Sequence, residues 1–128
     1  MKNKYTFLRS IIIITFLLLF SPHAFAEGET LQVLNDTAIG LYEQGKYDEA
    51  AELAQRALRT AEDTLGIENP KIVPFLNNLA VIYYAQGKYA EAEAQYERGL
   101  ALTEKAYGAD HARAKTLSEA LAKCRQKL

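Results

Sequence analysis

The stretch of sequence that decides the fold occurs twice along the chain. It reads YEQGKYDEAAELAQRAL at residues 42–58 and YAQGKYAEAEAQYERGL at residues 84–100, which is 42 residues further on. The shared Gln-Gly-Lys-Tyr begins at Gln44 in one copy and at Gln86 in the other. Because self-similarity at a fixed period is the mark of repeat architectures, the sequence predicts a stack of equivalent structural units.

The duplication extends on both sides of this stretch. The matched residues of the two copies include Leu34 and Leu76, Asn35 and Asn77, Ala38 and Ala80, and Gly66 and Gly108. Apolar residues at helical spacing lie on both sides of Gly45 and Gly87, where a left-handed helix end is expected. Each copy is therefore predicted to form an antiparallel helix pair. Small Ala38 and Ala80 are expected at the helix crossing, where close approach leaves no room for bulk.

The junctions between copies carry their own signals. Asn69-Pro70 is expected to form an N-cap followed by proline at the first helical position. Pro74 requires that this helix either starts later or bends. After the second copy, Asp110 is expected to cap a final helix that starts near His111 and ends near Lys127. Its predicted apolar side carries Leu117, Leu121 and Ala122.

The first 26 residues are expected to be a secretory signal peptide. A basic start with three Lys and Arg residues precedes an apolar block at residues 11–20, about half of the roughly 20 residues that a membrane-spanning helix needs. Ala24-Phe25-Ala26 then supplies a small-x-small cleavage pattern, which places the cut after Ala26. We expect an exported protein, in a bacterial periplasm rather than another exported site, with no stable membrane anchor after cleavage.

Residues 27–128 leave room for one small domain. All 16 acidic residues but only 12 of the 15 Lys and Arg residues fall in this part, which gives a net charge of about -4. This balance argues against nucleic acid as a partner, since phosphate binding needs clustered positive charge. Cys124 is the single cysteine, so no intramolecular disulfide forms. A half-buried thiol is expected there, with an intermolecular disulfide as the alternative.

The sequence lacks the patterns of catalytic and metal sites. His111 is the only histidine left after the expected signal is removed, and capping at a helix start accounts for it. No Gly-rich phosphate loop, no Cys-His or Ser-His-Asp set and no carboxylate-histidine cluster with ligand spacing is present. The sequence therefore predicts neither an enzyme nor a need for a cofactor or metal.

These residues closely resemble the tetratricopeptide repeat. That family's order of a small residue, a tyrosine, Gly-x-Tyr, Glu-Ala and Ala-Leu is met by Ala80, Tyr83, Gly87-Lys88-Tyr89, Glu91-Ala92 and Gly99-Leu100, with Gly99 in place of alanine. The usual period is about 34 residues. The longer period of 42 residues is similar to that of the repeats in kinesin light chains.

The resemblance implies an all-α fold, a short right-handed α-solenoid of antiparallel helix pairs. Repeat one is expected over residues 31–69, repeat two over 73–111, and a capping half repeat over 112–128. Together they make up one domain at residues 27–128, which follows the signal peptide at residues 1–26. A half repeat of this kind covers the otherwise exposed end of the stack.

The resemblance also implies a concave groove, lined by the first helix of each copy, in which a protein or an extended peptide binds. The groove residues carried over are Asn35, Ile39, Tyr42, Glu43, Asn77, Val81, Tyr84 and Ala85, followed by Glu119, Lys123 and Lys127 from the half copy. Asn35 and Asn77 are the strongest candidates, since a carboxamide offers an acceptor and two donors to a peptide backbone. The half copy has Glu119 at the matching position, so the site is expected in the first two copies. The implied function is a non-catalytic protein-protein interaction scaffold.

Several alternatives stay open at this point. The alternative for Asn35 and Asn77 is that they hydrogen-bond neighbouring helices of the same chain. Tyr42 and Tyr84 suit a place in the groove and a place in the packing equally well. The other tyrosines singled out are expected in the core, namely Tyr47, Tyr83 and Tyr89. The alternative function is a self-assembling structural or accessory subunit of an envelope complex. Two and a half repeats lie near the minimum of about three needed for stability, and a homodimer would bury the exposed end face.

Overall fold

The computed structural model describes the backbone of residues 23–128 and the side chains from residue 31 onward. This part of the chain forms five α-helices, which are α1 His23–Glu43, α2 Tyr47–Leu65, α3 Val73–Ala85, α4 Tyr89–Tyr107 and α5 Ala112–Arg125. No strand occurs in the described residues, which confirms the all-α class. One compact unit covers Leu31–Leu128.

The predicted signal peptide at residues 1–26 falls where the structure gives little or no description. Residues 1–22 lie outside the described part, and side chains are not described before residue 31. Cleavage after Ala26 therefore stays a prediction. Among the helices that are described, none combines the length and the apolar character needed to cross a membrane.

Each turn within a helix pair depends on a glycine in the left-handed region. Gly45 has φ 76° and Gly87 has φ 77°. The N–H of Gly45 bonds the carbonyl of Tyr42 at 2.9 Å, and the N–H of Lys46 bonds that of Leu41 at 2.9 Å. Gly87 is set in the same pattern by two equivalent hydrogen bonds. These bonds satisfy the last carbonyls of the first helix and reverse the chain, as predicted.

The junction between the copies is built by Asn69. Its Oδ1 accepts the N–H of Lys71 at 2.9 Å, and its Nδ2 donates to the carbonyl of Leu65 at 3.1 Å. A single 3-10 turn, Pro70–Ile72, follows this cap before the α-helix begins at Val73. Pro74 consequently lies in the first turn of α3, where its missing N–H leaves no helical bond unmade. Of the two possibilities for Pro74, the later helix start is the one found.

The core lies between the two layers of helices and is built from small residues at the closest approaches. Ala38 is 1% exposed and Ala80 is fully buried, which confirms their predicted place at the helix crossing. Ala50 and Ala92, one helix later in each pair, are also fully buried. Around them pack larger side chains, mainly Ile72, Val73, Leu76, Leu79 and Ile82. Helix α3 packs against both α2 and α4, and so joins the two copies.

The final helix packs on α4, with two corrections to the prediction. Its N-cap is His111, not Asp110, because the imidazole Nδ1 accepts the N–H of Arg113 at 3.2 Å. Its buried face consists of Ala114, Leu117, Leu121 and Cys124. Ala122 is exposed although its counterpart Ala80 is buried, because no partner helix follows α5 in the described chain. Cys124, expected to be half-buried, is fully buried, and its thiol donates to the carbonyl of Tyr89 at 3.0 Å.

The prediction that Tyr47, Tyr83 and Tyr89 lie in the core also needs correction. Tyr47 is 36% exposed and does not belong to the core, since it lies at the start of α2 and packs mainly on the ring of Tyr42. Tyr83 and Tyr89 are half-buried and pack against the core from its edge. The Tyr83 hydroxyl accepts a hydrogen bond from Gln55 Nε2 at 2.7 Å, which keeps its polar end at the surface. Among the tyrosines whose side chains are described, the buried one is Tyr96, at 5% exposure.

Substituting Gly87 by alanine should destabilise the domain by about 1 kcal/mol or more, since an L residue in the left-handed region costs roughly 1–2 kcal/mol. Gly40 is the matched control, because it lies inside α1 and a Cβ there would meet no atom within 4 Å. Gly40→Ala should stabilise by about 0.5–1 kcal/mol through higher helix propensity. Urea denaturation measures the free energy of unfolding of both variants. Equal effects of the two substitutions would contradict the turn geometry.

Candidate functional site

The first helices of the three copies, α1, α3 and α5, share one side of the molecule, here called the groove face. Three cavities open on it. The cavity between α1 and α3, here the aliphatic cavity, has a volume of about 180 Å³. Its lining residues are Ile39, Tyr42, Glu43, Asn78, Val81 and Ile82. Four of these were predicted as groove residues, so the structure brings Ile39, Tyr42, Glu43 and Val81 together around one apolar depression.

The second cavity, here the basic cavity, lies between α3 and α5 and has a volume of about 400 Å³. Its lining comprises Val73, Pro74, Asn77 and Asn78 from α3 and Ala112, Arg113, Thr116 and Leu117 from α5. Arg113 is the only charged residue among them. The first turns of both helices border this cavity, and helix N-termini add positive potential. The cavity is therefore suited to a group that carries negative charge or strong acceptors.

The third cavity, here the tyrosine cavity, has a volume of about 250 Å³ and lies further along the same two helices. It is lined by Tyr84, Tyr96, Thr116, Glu119, Ala120 and Lys123. Tyr84, Glu119 and Lys123 were predicted for the groove, and the structure brings these three together. Lys127, predicted beside them, is exposed and lies beyond the last residue of α5.

Shared lining residues connect the three cavities into one surface. Asn78 lines both the aliphatic and the basic cavity, and Thr116 lines both the basic and the tyrosine cavity. A ligand in extended conformation can therefore reach all three without leaving the groove face. Sequence reasoning did not single out Asn78, Arg113 or Thr116. One feature of the sequence could have indicated Arg113. The period of 42 pairs it with Lys71, so a cation recurs near the start of α3 and of α5.

The two asparagines predicted as an equivalent pair differ in the structure. Asn78 Nδ2 donates to Asn35 Oδ1 at 2.9 Å, which links α3 to α1. The alternative that an asparagine satisfies a neighbouring helix thus holds for Asn35. Asn77 lines the basic cavity, and its side chain makes no hydrogen bond with any described residue. The position on α5 that corresponds to Asn78, one period later, is Ala120. Alanine has no amide that could bond Asn77 as Asn78 bonds Asn35.

The groove tyrosines contribute to packing and to the groove surface at once. The Tyr42 ring lies 5.6 Å from that of Tyr47, and the Tyr84 ring lies 5.1 Å from that of Tyr89. Each pair packs across the turn between the two helices of a copy. The rings are tilted or edge-on, which is the arrangement that aromatic pairs prefer. Each of Tyr42 and Tyr84 also lines a cavity. The packing interpretation is therefore confirmed for both residues, and their role in binding a partner stays a prediction.

Formal charge changes sign across the groove face. Glu43 is the only charged residue of the aliphatic cavity, and Arg113 is the only one of the basic cavity. The tyrosine cavity has one residue of each sign, Glu119 and Lys123. In the described part of the chain Arg113 forms no ion pair, in contrast to Arg98, Lys105 and Arg125. A ligand that lies across this face thus meets negative potential near α1 and positive potential near the start of α5.

A fourth cavity lies away from the groove face, where the two Gly-Lys turns approach each other. Its residues are Gly45, Lys46, Tyr47, Asp48, Glu49, Ala85, Gln86 and Lys88. Gln86 Nε2 donates to Asp48 Oδ1 at 2.6 Å and so ties the second turn to the start of α2. The Lys88 ammonium lies 5.9 Å from the centre of the Tyr83 ring. The Gln86–Asp48 bond joins the two copies, whereas the Lys88–Tyr83 contact lies within the second copy. Ala85, predicted for the groove, lines this cavity instead.

The described residues contain no cluster of three His, Cys, Asp or Glu side chains that would hold a metal ion. Burial raises the pKa of Tyr96 to about 12, with a smaller contribution from the nearby Cys124. Burial also raises the pKa of the Cys124 thiol. Both groups are therefore neutral near pH 7, the opposite of what an activated nucleophile needs.

Replacing Asn35 by alanine should lower the free energy of unfolding by about 1 kcal/mol, because the half-buried Asn78 amide loses its partner. Asn77→Ala is the matched control, since it removes the same side chain at the equivalent position of the next copy. Its effect should stay within about 0.5 kcal/mol. The helix-propensity change is the same in both variants. The difference between their free energies of unfolding, measured by urea denaturation, therefore isolates the contribution of the hydrogen bond. Equal losses would show that the Asn35–Asn78 bond contributes nothing measurable.

Comparison with known proteins agrees with this architecture. A family model described as tetratricopeptide repeat matches the chain twice, at residues 30–71 and 75–113, and its repeats are kinesin-light-chain-like. A search of curated proteins finds no match for the chain. The two matched segments cover well over half of the chain and coincide with the two helix pairs. The chain belongs to the tetratricopeptide repeat family.

Proposed function

We propose that this protein binds an extended segment of a partner protein across its groove face. The observation that carries the proposal is the row of three adjoining cavities, lined by all three first helices and linked through Asn78 and Thr116. Tetratricopeptide repeats generally mediate protein-protein interactions. A continuous surface with alternating apolar and polar hollows suits a chain whose side chains point to alternate sides.

The predicted groove residues take distinct roles in this proposal. Ile39 and Val81 offer apolar surface to a ligand side chain, and Tyr42 and Tyr84 add flat area with a polar end. The free Asn77 carboxamide has donors and an acceptor available for a ligand backbone. Asn35 acts indirectly, since its hydrogen bond holds Asn78 at the boundary between two cavities.

A non-catalytic role fits the chemistry of this face. The family typically acts as an interaction scaffold. The groove cavities contain amides, hydroxyls and single charges, and neither His111 nor Cys124 lines any of them. On this proposal the side chains position a ligand and transfer no group to it.

The alternative of self-assembly through the end face has weaker support. A further helix pair would pack on α5 where Lys115 and Ser118 occupy the places that Val73 and Leu76 hold in the second copy. Two polar residues thus replace two packing residues. Arg125 turns to α4, as its counterpart Tyr83 turns to Gln55 of α2, and its Nε donates to Glu93 at 2.7 Å while its guanidinium also bonds Glu97 at 2.5 Å. Terminal repeats with a polar outer face are the usual caps of such arrays.

We also propose that the protein acts after export, in a bacterial periplasm, with the signal removed after Ala26. The support is the basic start, the short apolar block and the Ala-x-Ala pattern in residues 1–26. Detection of a chain beginning at Glu27 in an envelope fraction, by intact mass, tests this. An uncleaved chain in that fraction would argue for a retained N-terminal segment.

Because the end face is polar, the chain should be a monomer at micromolar concentration. Sedimentation equilibrium measures this directly. A tight dimer that survives under reducing conditions would contradict the expectation and raise the self-assembly alternative. Reduction should change nothing, since Cys124 is fully buried and cannot reach a second chain without opening of α5.

Val81→Arg should weaken binding of peptides selected from a displayed random library by about tenfold or more, because a long charged side chain fills the aliphatic cavity. The control is Ala101→Arg, which places the same side chain at an exposed position of α4 that lines none of the cavities. Affinities are measured by fluorescence anisotropy, and thermal denaturation checks that both variants stay folded. Tenfold corresponds to about 1.4 kcal/mol of binding free energy.

Two outcomes would overturn the proposal. One is a library selection that enriches no peptide. The other is a set of enriched peptides that binds Val81→Arg as tightly as the unmodified chain. If Val81→Arg proves unfolded, Ile39→Ala replaces it, because truncation enlarges the cavity without adding a charge.

A further inference from the structure

The junctions before α3 and before α5 share one plan but use different caps. The period of 42 pairs Asn69 with His111. Asn69 Oδ1 accepts the N–H of Lys71 at 2.9 Å, and His111 Nδ1 accepts the N–H of Arg113 at 3.2 Å. In both junctions the donor comes from the residue two positions after the cap. The equivalent hydrogen bond is therefore made by an amide in the first junction and by an imidazole in the second.

Of these two caps, only the imidazole can be removed by a proton. A carboxamide oxygen accepts a hydrogen bond whatever the pH near neutrality, whereas an imidazole nitrogen accepts only while it carries no hydrogen. Protonation of His111 would place an N–H group against the N–H of Arg113, so the bond that caps α5 would be lost. Histidine is the side chain that ordinarily changes its charge between about pH 5 and pH 8.

The surroundings of His111 contain no partner that would hold the added proton. Tyr107 of α4 stacks on the ring at 4.9 Å between centres, which leaves the in-plane Nδ1 to the cap. The nearest charged residues along the chain, Asp110 and Arg113, have opposite signs, and no described carboxylate forms a salt bridge with His111. The positive end of the α5 dipole also disfavours an imidazolium here. The residues of α3 that face the first turn of α5 are uncharged, namely Val73, Pro74, Asn77 and Asn78.

Helix α5 has one packed side and one open side. It is 14 residues long, and no helix follows it in the described part of the chain. Isolated helices of about this length are marginal in water, so α5 depends on its packing and on its cap. Its first turns supply Arg113 and Thr116 to the groove face. Loss of the cap would therefore raise the fraction of molecules in which α5, and with it one wall of the groove, has opened.

We propose that His111 is an acid-sensitive cap, whose neutral imidazole holds the start of α5 in place and whose protonation releases it. The folded chain contains the neutral form, so the cap stabilises α5 above the range in which the imidazole ionises and is lost as the pH falls through that range. Asn69 makes the junction between the copies insensitive to pH. Acid therefore loosens the last helix and leaves the two helix pairs in place. The effect on the groove rests on the proposed function, whereas the cap itself does not.

Cys124 provides a local readout of α5 opening. It is the only cysteine of the chain, and it lies fully buried on α5 with its thiol bonded to the carbonyl of Tyr89 in α4. A thiol reagent can reach it only when α5 leaves α4. The probe is a dipyridyl disulfide, which reacts with thiols in acid as well as at neutral pH. Labelling rates of the full-length chain, without denaturant, are compared with those of two variants at about pH 8 and about pH 5, the two ends of the range.

The two variants separate protonation from simple loss of the side chain. His111→Asn supplies a cap that cannot be protonated, as Asn69 does one period earlier, and His111→Ala supplies none. Both lack the stack on Tyr107, and comparison at one pH cancels the ionisation of the thiol and of every other group. His111→Ala should label about two- to fivefold faster than His111→Asn at both pH values, the size expected for a lost N-cap.

The deciding quantity is the labelling rate of the unmodified chain divided by that of His111→Asn. This ratio should rise about two- to fivefold from about pH 8 to about pH 5, because the protonated imidazole no longer caps α5. The equilibrium constants of unfolding, measured by urea denaturation, should change in the same sense. This ratio decides the test even if His111→Ala fails to fold.

Two results would overturn the proposal. A ratio that stays constant between the two pH values would show that protonation of His111 does not affect α5. Equal labelling of His111→Asn and His111→Ala would show that the cap contributes nothing to holding the helix. Neither measurement uses a ligand, so a failed peptide selection would overturn the proposed function and leave both results standing.

Discussion

The left-handed turn at Gly45, repeated at Gly87, is the constraint on which the rest of the structure depends. Its two hydrogen bonds fix the angle at which the second helix of each pair leaves the first. With that angle fixed, Ala38 and Ala80 come to lie at crossings too close for larger side chains. All first helices then lie on one side, so their exposed residues form a single face. The groove is thus a consequence of backbone geometry at two residues.

Polar contacts join the copies. In most of them the later copy supplies the donor, as in Asn78 to Asn35, Gln86 to Asp48, Arg98 to Glu62 and Lys105 to Glu68, whereas Gln55 of the first copy donates to Tyr83 of the second. Arg125 continues this order by bonding Glu93 and Glu97. Exposed pairs of this kind contribute little individually, and the apolar contacts of α3 with both neighbours supply most of the cohesion. The polar contacts therefore contribute more to the register between the copies than to the stability of the stack.

Much of this fold could be predicted from the sequence, because the period of 42 identifies equivalent positions before any contact is known. The helices, the glycine turns and the Asn69 cap all follow from local chemistry. Prediction failed where a residue's neighbours decide its state. Ala122 was expected to be buried like Ala80, but burial there requires a partner helix. Asp110 was expected as a cap, yet the His111 imidazole reaches the same N–H group.

The same limit explains why the candidate site could be predicted only in part. Asn35 and Asn77 are identical in type and in register, so no local pattern separates them. Their difference arises one helix away, where the residue that faces Asn35 is Asn78 and its counterpart one period later is Ala120. Residues that repeat, such as Ala80, Tyr84 and Gly87, build the scaffold. Residues that fail to repeat, such as Glu43 and Asn78, give the groove its negative charge and its hydrogen bond between first helices. In a short array of near-identical units, specificity therefore has to come from the positions at which the repeat is broken.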